Sequence, residues 1–337
     1  MTEKTWGVVL TADEPAELVL ANVSWHLAHG AAQMHVYLDQ PDDPVAATLS
    51  KIKNVRVVRC DGAHWQRLNG GRRPKLQMRR QSLNANDAQN FTDVDWMVHL
   101  DADEFLLQSR PLGTELPFVE DLEAELYIPV WERFHEVDPQ QIFEGAFRGT
   151  TKAKPGFDAQ IFGAQNKYLI HGVLAHSAGK CAVPVGRGFL QGIHWSFKGT
   201  QKRENRAPRY ESTTSRVLHF DGLTPLHWLI KVMRYANHDP DDLARLLSGQ
   251  RHAQIEFILS RCAGMESALA AQRELRFLNP DQVARLDGFG LIDRPLIDLP
   301  TVVQDILGYL PDFSVDAFDT ALRSRYPDIA AVLEAGI

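Results

Sequence analysis

Two aspartates one residue apart, Asp101 and Asp103, interrupt an apolar stretch that reads Trp96-Met97-Val98-His99-Leu100-Asp101-Ala102-Asp103-Glu104-Phe105-Leu106. Charges at the edge of buried segments need partners or a metal. With only Ala102 between them, both carboxylates can turn toward one cation. Oxygen donors of this kind suit Mg²⁺ or Mn²⁺, which take one or two carboxylates together with substrate phosphates. The bland alternative is a strand-end loop with solvated acids, or a turn capping the next element. An isolated Asp-X-Asp is common; the apolar segments on both sides tip this one toward chemistry.

Other residues could complete such a site. His219, in Leu218-His219-Phe220-Asp221-Gly222, offers an imidazole that suits Mn²⁺-like ions, and His227 is a second candidate. A lone histidine on an apolar strand is more often a satisfied core residue, so His219 gains weight only beside the acidic pair. Arg67, Arg72, Arg73, Lys75, Arg79 and Arg80 form a basic run with Gly70-Gly71 inside it. It reads equally as a solvated face or as a clamp on phosphate, where arginine offers bidentate geometry. Asp13-Glu14 and Asp39 follow two further apolar runs. They suit helix capping and a turn, or hydrogen bonds to the nucleoside of a nucleotide. Glu132 and Glu136, in Trp131-Glu132-Arg133-Phe134-His135-Glu136, are candidates for a general base, against a packed strand edge with solvated charges.

These residues need elements to place them. Trp6 to Thr11, Met34 to Leu38, Val55 to Arg59 and Trp96 to Leu100 are short apolar runs that read as strands. Between the first two, Asp13-Glu14-Pro15 starts a helix carrying Ala16, Val19, Leu20, Val23 and Leu27, and Gly30 stops it. Val45 to Lys51 and Lys75 to Asn90 also read as helices. Strand and helix alternation of this kind predicts an α/β fold with a parallel sheet, whose ligands bind beyond the carboxyl ends of the strands. Glu125 to Val130 and Lys180 to Val185 read as further strands of a mixed, irregular half. From Thr224 the pattern becomes helical: around Trp228 to Arg234, from Pro240 to about Gly249, then Ile255 to Leu275, Pro280 to Leu286, Val302 to Leu310 and Val315 to Tyr326. The expected division is a sheet domain over residues 1–223 and a helical region over residues 224–337.

Composition excludes some classes. A net charge of −7 gives no whole-protein footprint for nucleic acid. Cys60, Cys181 and Cys262 are odd in number and widely spaced, as reduced thiols of a reducing compartment would be. No signal-peptide core and no run long enough to span a bilayer is read, which predicts a cytoplasmic protein and leaves peripheral contact with the inner membrane face open. There is no P-loop, no Gly-X-Ser-X-Gly elbow and no dinucleotide fingerprint.

The opening strand with Asp13-Glu14, the helix ending Trp25-His26-Leu27-Ala28-His29-Gly30, the strand His35-Val36-Tyr37-Leu38-Asp39 and the segment Trp96 to Phe105 together resemble bacterial glycosyltransferases of the family 2 type. The resemblance covers about the first third of the chain, and more loosely the segment near His219. Asp13 stands where that family has asparagine. The resemblance implies a GT-A-type, Rossmann-like nucleotide-sugar-binding sheet, here with a C-terminal helical appendage. It further implies a Mn²⁺ or Mg²⁺ ion on Asp101 and Asp103, with His219 as third ligand by analogy with the His-Phe-X-Gly pattern of other GT-A enzymes. The lysine that follows that pattern and meets the diphosphate is not matched, since this chain reads Thr224-Pro225-Leu226-His227-Trp228. Arg79, Arg80 or His227 are its candidate substitutes. The implied donor is a nucleoside-diphosphate sugar, with UDP expected as the nucleotide. Asp13, Glu14, Asp39 and Asp101 would hold it, with Lys75, Arg79 and Arg80 near its phosphates. The acceptor hydroxyl, on a glycan, a lipid-linked molecule or a protein, is unassigned. Glu132 or Glu136 would serve as base in an inverting transfer. A homodimer stays open. The competing classes are a metal-dependent nucleotidyltransferase, disfavoured by the missing glycine-rich loop, and a non-catalytic sugar- or nucleotide-binding module.

Overall fold

The computed structural model describes residues 2–152, 156–236 and 247–336. In chain order its first elements are β1 (Trp6–Ala12), α1 (Ala16–Ala28), β2 (Gln33–Leu38), α2 (Val45–Leu49), β3 (Val55–Arg59), α3 (Gly62–Asn69), α4 (Gln77–Ala88), β4 (Trp96–His99), β5 (Glu104–Gln108), α5 (Leu112–Glu120) and β6 (Glu125–Ile128). Then come β7 (Val130–Phe134), β8 (Ala146–Gly149), α6 (Phe157–Phe162), β9 (Lys180–Pro184), β10 (Phe189–Gln191), β11 (Ser196–Lys198), β12 (Arg209–Glu211), β13 (Ser215–His219) and α7 (Pro225–Ala236). Helices Gly249–Leu259, Met265–Arg276 and Pro280–Gly288, strand β14 (Ile292–Asp293), and helices Leu299–Leu307, Val315–Arg325 and Pro327–Ala335 complete the described chain. The fold is mixed α/β with C-terminal helices, as expected.

The chain forms two compact units, and neither follows a single cut at 223/224. One comprises Met1–Val130, Ala178–Val217 and Asp298–Leu310; the other comprises Trp131–Ser177, Leu218–Ile297 and Pro311–Ile337. The reason lies in packing: helix Leu299–Leu307, from the helical C-terminal stretch, packs on α1 and so joins the first unit.

The first unit is built on a seven-stranded sheet ordered β12-β6-β9-β4-β1-β2-β3. β1 pairs in parallel with both β2 and β4, and β2 with β3. Helical crossovers force that parallel arrangement, because a tight turn can join only antiparallel strands. Every residue of β1 and β4 is buried, the signature of strands covered on both faces. β9 runs antiparallel to both β4 and β6, giving the mixed half. Where one strand was read over Glu125 to Val130, there are two, because Pro129 has no N–H to donate; its carbonyl accepts from Val217 N–H at 2.8 Å.

α1 is buried along most of its length, including the polar Asn22, Ser24 and His26. Gly30, at φ +98°, ends it where an L side chain would be strained. His26 Nε2 accepts the Leu106 N–H at 3.2 Å, and its Nδ1 lies 2.8 Å from the Asn22 carbonyl, so the neutral ring bridges α1 and β5. Burial pushes its pKa down to about 3. A base depressed on folding contributes stability that is present above its unfolded value near 6.5 and is lost as pH falls toward the folded value. Urea midpoints should therefore fall between about pH 6.5 and 3, with a limiting slope of about 1.4 kcal/mol per pH unit from this group. His26→Gln should flatten that limb; an unchanged pH profile in the variant would place the titration elsewhere.

In the second unit, β7, β8 and β14 form an antiparallel ribbon, with Glu132 opposite Arg148 and Arg148 opposite Ile292. α7 packs among helices Gly249–Leu259, Met265–Arg276, Val315–Arg325 and Pro327–Ala335. Trp228, Leu229 and Val232 from α7, with Phe318, Leu322 and Leu333, lie fully buried there. The single helix read over Ile255 to Leu275 is two, broken at Gly264, whose φ of +143° is outside the helical region. Most of the helix read from Pro240 lies outside the described residues. Asn279 and Gln282 form a reciprocal capping box that starts Pro280–Gly288. The three cysteines are free and buried.

Candidate functional site

β1 is flanked by β2 on one side and β4 on the other. The chain leaves β1 toward β2 and β3 and returns to the far side as β4, so the carboxyl ends of β1 and β4 border the topological switch point of the parallel strands. Open α/β sheets bind ligands in that crevice. Asp13 and Glu14 follow β1, Asp39 follows β2, and Asp101 to Asp103 follow β4 and precede β5. Local sequence thus delivers all of the carboxylates read from the first third of the chain to one edge of one sheet.

The acidic turn is fixed from beneath. Asn22 of α1, fully buried, donates from Nδ2 to the carbonyls of Ala102 at 3.0 Å and Glu104 at 2.8 Å, and more weakly to that of Asp101 at 3.4 Å. Trp25 Nε1 donates to the Leu106 carbonyl at 2.8 Å. Glu104 Oε2 accepts the Asp101 N–H at 2.8 Å. Asn22→Leu would strand these carbonyls in a buried place, and unmet buried polar groups cost about 1–3 kcal/mol each. The expected loss is about 3 kcal/mol in urea unfolding, with weakened metal-dependent activity; a variant of native stability would show the turn holds itself.

Lys180, the first residue of β9, is the central group that sequence reading missed. Its ammonium is fully buried and lies 2.8 Å from Asp101 Oδ2 and 2.9 Å from Glu104 Oε2. Gln81 Nε2 donates to Asp101 Oδ1. Burial alone would raise the Asp101 pKa, but Lys180 leads the charges that hold it well below the carboxylate range. Burial would lower the Lys180 pKa, yet Asp101 and Glu104 raise it above the ordinary lysine value. Asp101 is therefore an ionised carboxylate with an internal counter-cation. Its side chain remains about a quarter exposed, so one edge is open to a ligand. Asp103, two residues on, is buried.

Asp39 and Arg80, read separately as contacts to a nucleotide, are paired with each other. Arg80 meets Asp39 through Nε at 2.9 Å and Nη2 at 2.8 Å, and Arg73 adds a bond at 2.8 Å. Arg80 Nη1 also donates to the carbonyls of Pro74 and Lys75 at 3.0 and 2.7 Å. The pair thus pins the loop between α3 and α4 to the end of β2, and Lys75 and Arg79 on that segment stay exposed. Asp13 accepts from Gln40 Nε2 at 2.8 Å.

In the second unit, His219 ends β13, and its ring lies 4.9 Å from that of His176. A ligand atom of His219 lies within 4.8 Å of one on His176 and of one on Asp221. Imidazole nitrogen with carboxylate oxygen is a donor set that fits a Mn²⁺-like ion. His176 and Asp221 were not singled out from sequence; Asp221 carried a signal, two residues from His219 on the same apolar run. Asp221 is buried, with Lys231 at 2.9 Å and Trp228 Nε1 at 3.1 Å. Burial would raise its pKa, but Lys231, Arg251, His219 and Arg276 hold it far below the usual range. His227 has a structural part: its Nδ1 accepts the Leu223 N–H at 3.1 Å and its ring meets Phe318 edge-on.

Glu132 is buried and engaged on both oxygens. It pairs with Arg148 at 2.9 Å and accepts the N–H groups of Leu174 and Ala175, each at 2.7 Å. Glu136 is exposed, pairs with Arg294 at 2.9 Å, and lines a cleft of about 260 Å³ with His135, Asp138, Glu144 and Arg294. No helix among the described residues is long and apolar enough to cross a membrane.

Neither a protein-family model nor a curated protein matches the chain. Among solved structures, it is similar to S. aureus TarS 1–349, with a TM-score of 0.34 and 12% identity over 98% of this chain and 90% of that one. The same protein in complex with UDP-GlcNAc gives 0.33 and 12% over the same shares. HddC from Yersinia pseudotuberculosis gives 0.34 and 7% over 68% of this chain and 99% of that one. At these scores the likenesses carry no argument, and function rests on the chain's own residues.

Proposed function

We propose that the protein is a metal-dependent glycosyltransferase that moves a sugar from a nucleoside-diphosphate donor, with UDP as the expected nucleotide, to an acceptor hydroxyl. One observation carries this reading: the Asp101–Glu104 turn sits at the carboxyl end of β4, beside the switch point of a parallel sheet, and is held there by Asn22 and Lys180. Such an edge binds nucleotides, and a partly exposed acid beside a buried one suits a cation that accompanies phosphates.

The roles divide as follows. Asp101, kept ionised by Lys180, accepts a hydroxyl hydrogen bond from the nucleoside on its open edge. Asp13, Glu14 and Asp39 flank the same edge, and Asp39 acts through the loop that Arg73 and Arg80 pin to it. Lys75 and Arg79 are free to meet phosphate from that loop. Asp103 and His219 are the proposed ligands of Mn²⁺ or Mg²⁺. When bound, the ion supplies Lewis-acid stabilisation of the charge on the departing diphosphate. Glu132, saturated by Arg148 and two backbone N–H groups, positions the Leu174–Ala175 segment instead of accepting a proton. Glu136 remains the base candidate for an inverting transfer.

A thermal-shift screen of nucleoside diphosphates with and without Mn²⁺ tests the reading, since ligand bound to the native state alone raises the melting temperature. Stabilisation by UDP that grows with Mn²⁺ is expected. Pyrophosphate release from nucleoside triphosphates would replace the transferase reading with a nucleotidyltransferase. Glu132→Gln should lower stability while Glu136→Gln lowers turnover; the reverse pattern would exchange their roles.

A further inference from the structure

The second unit encloses more positive charge than its acids balance. Arg133, Arg148 and Arg276 are each almost wholly buried, against two buried carboxylates, Glu132 and Asp221. Half-buried Lys231 and Arg251 add to the same neighbourhood, since both act on Asp221. Burial, with Arg148 and Arg251 adding to it, lowers the Arg276 pKa despite Asp221 and Glu132. Burial also pushes the His135 imidazole far below its ordinary value, and Arg133, Arg276, Arg148 and Arg273 push the same way. Two of the guanidiniums have donors to spare. Arg148 spends Nη2 on Glu132 and leaves Nε and Nη1 without a partner. Arg276 gives Nη1 to the Asp221 carbonyl and has Nη2 3.5 Å from His135 Nε2, while its Nε has no partner. A buried guanidinium with idle N–H groups is costly unless something accepts from them.

We propose that this cluster is an oxyanion-binding centre, in which Arg148 and Arg276, with Arg251 and Lys231 at its more open side, take a phosphoryl group. Planar guanidinium donors in fork geometry match a phosphoryl group's oxygens, and one or two negative charges would bring the neighbourhood close to neutrality. The cluster supplies the cations that are missing after Gly222, where Thr224-Pro225 stands in place of a phosphate-binding lysine. The centre rests on the transferase reading only for the source of its phosphoryl group, which is either the donor's diphosphate or an anionic acceptor.

The test is a titration of the full chain in EDTA with orthophosphate and pyrophosphate at constant ionic strength, read by melting temperature. Saturable stabilisation is expected, with apparent affinity weakened about tenfold or more in Arg251→Gln and in Arg276→Gln, the scale of a lost charge-assisted bond. Arg148→Met should do the same if it folds; Arg251 is partly exposed, so its variant keeps the test decisive. No saturable response in the wild type, or equal responses in Arg251→Gln and Arg276→Gln, overturns the centre. Repeating the titration with saturating UDP and Mn²⁺ separates the sources. A response abolished by UDP assigns the centre to the donor phosphates, and a response retained assigns it to an anionic acceptor. Phosphate binding without any UDP binding would uphold the centre and sink the transferase reading instead.

Discussion

Asp103→Ala should lower metal-dependent donor turnover by about a thousandfold while leaving the chain folded. The magnitude follows from removing a cation that neutralises a leaving diphosphate, worth several kcal/mol in the transition state. The fold should survive because the turn is held by its neighbours: Asn22 grips the carbonyls on both sides of Asp103, and Lys180 ties Asp101 to Glu104. Circular dichroism and urea unfolding check the second half of the prediction, and Mn²⁺-dependent release of nucleoside diphosphate checks the first. Activity retained in a folded Asp103→Ala protein would remove Asp103 from the site. His219→Ala is the companion variant, expected to weaken Mn²⁺ binding; an unchanged Mn²⁺ titration would make it a core histidine.

Lys180→Met should cost about 3–5 kcal/mol of folding stability, the range for breaking a buried ion pair by removing one partner. Two carboxylates would lose their common cation, so the upper part of that range is expected. The pH dependence has a definite sign. Asp101 is depressed in the folded state, so its contribution is present above the ordinary carboxylate value near 4 and is lost as pH falls through the lowered folded value. Lys180 is raised, so its contribution is complete below about 10.5 and is lost only as pH rises beyond that. The stability gap between wild type and Lys180→Met should therefore open as pH rises past about 4 and hold to about pH 10. Lys180→Arg should recover part of the charge but strain the buried space. Equal urea midpoints for wild type and Lys180→Met at pH 7 would show that the acidic turn needs no internal cation.

What was legible in the sequence was what is local. β1, β2, β3 and β4 announce themselves as apolar runs bounded by turn residues, and the acids that follow them are consecutive with the strands. The alternation of strands and helices then dictates which ends of those strands share an edge. Lys180 could not be found that way, because it opens an apolar strand 79 residues from Asp101 and nothing near it in sequence is acidic. Its one trace is a lysine heading the run Lys180-Cys181-Ala182-Val183, where a buried strand would otherwise be apolar. Asp39 and Arg80 show the converse difficulty. Each is the right residue type for a nucleotide contact, and only their hydrogen bonds reveal that they face each other. Glu132 is the same case: its partners Arg148, Leu174 and Ala175 come from distant parts of the chain. The division into units was obscured for a related reason. Helix Leu299–Leu307 has an apolar stripe that reads like those of its sequence neighbours, and its partner, α1, lies near the other end of the chain.

The central claim is that this sheet edge binds a nucleoside diphosphate together with a divalent cation. Calorimetric titration of UDP into the wild-type chain, in EDTA and in Mn²⁺, tests it most directly. The account predicts one site per chain with affinity at least about tenfold tighter in Mn²⁺, as expected when a cation shares charge with the phosphates. No heat of binding from UDP or any other nucleoside diphosphate in Mn²⁺ would contradict it.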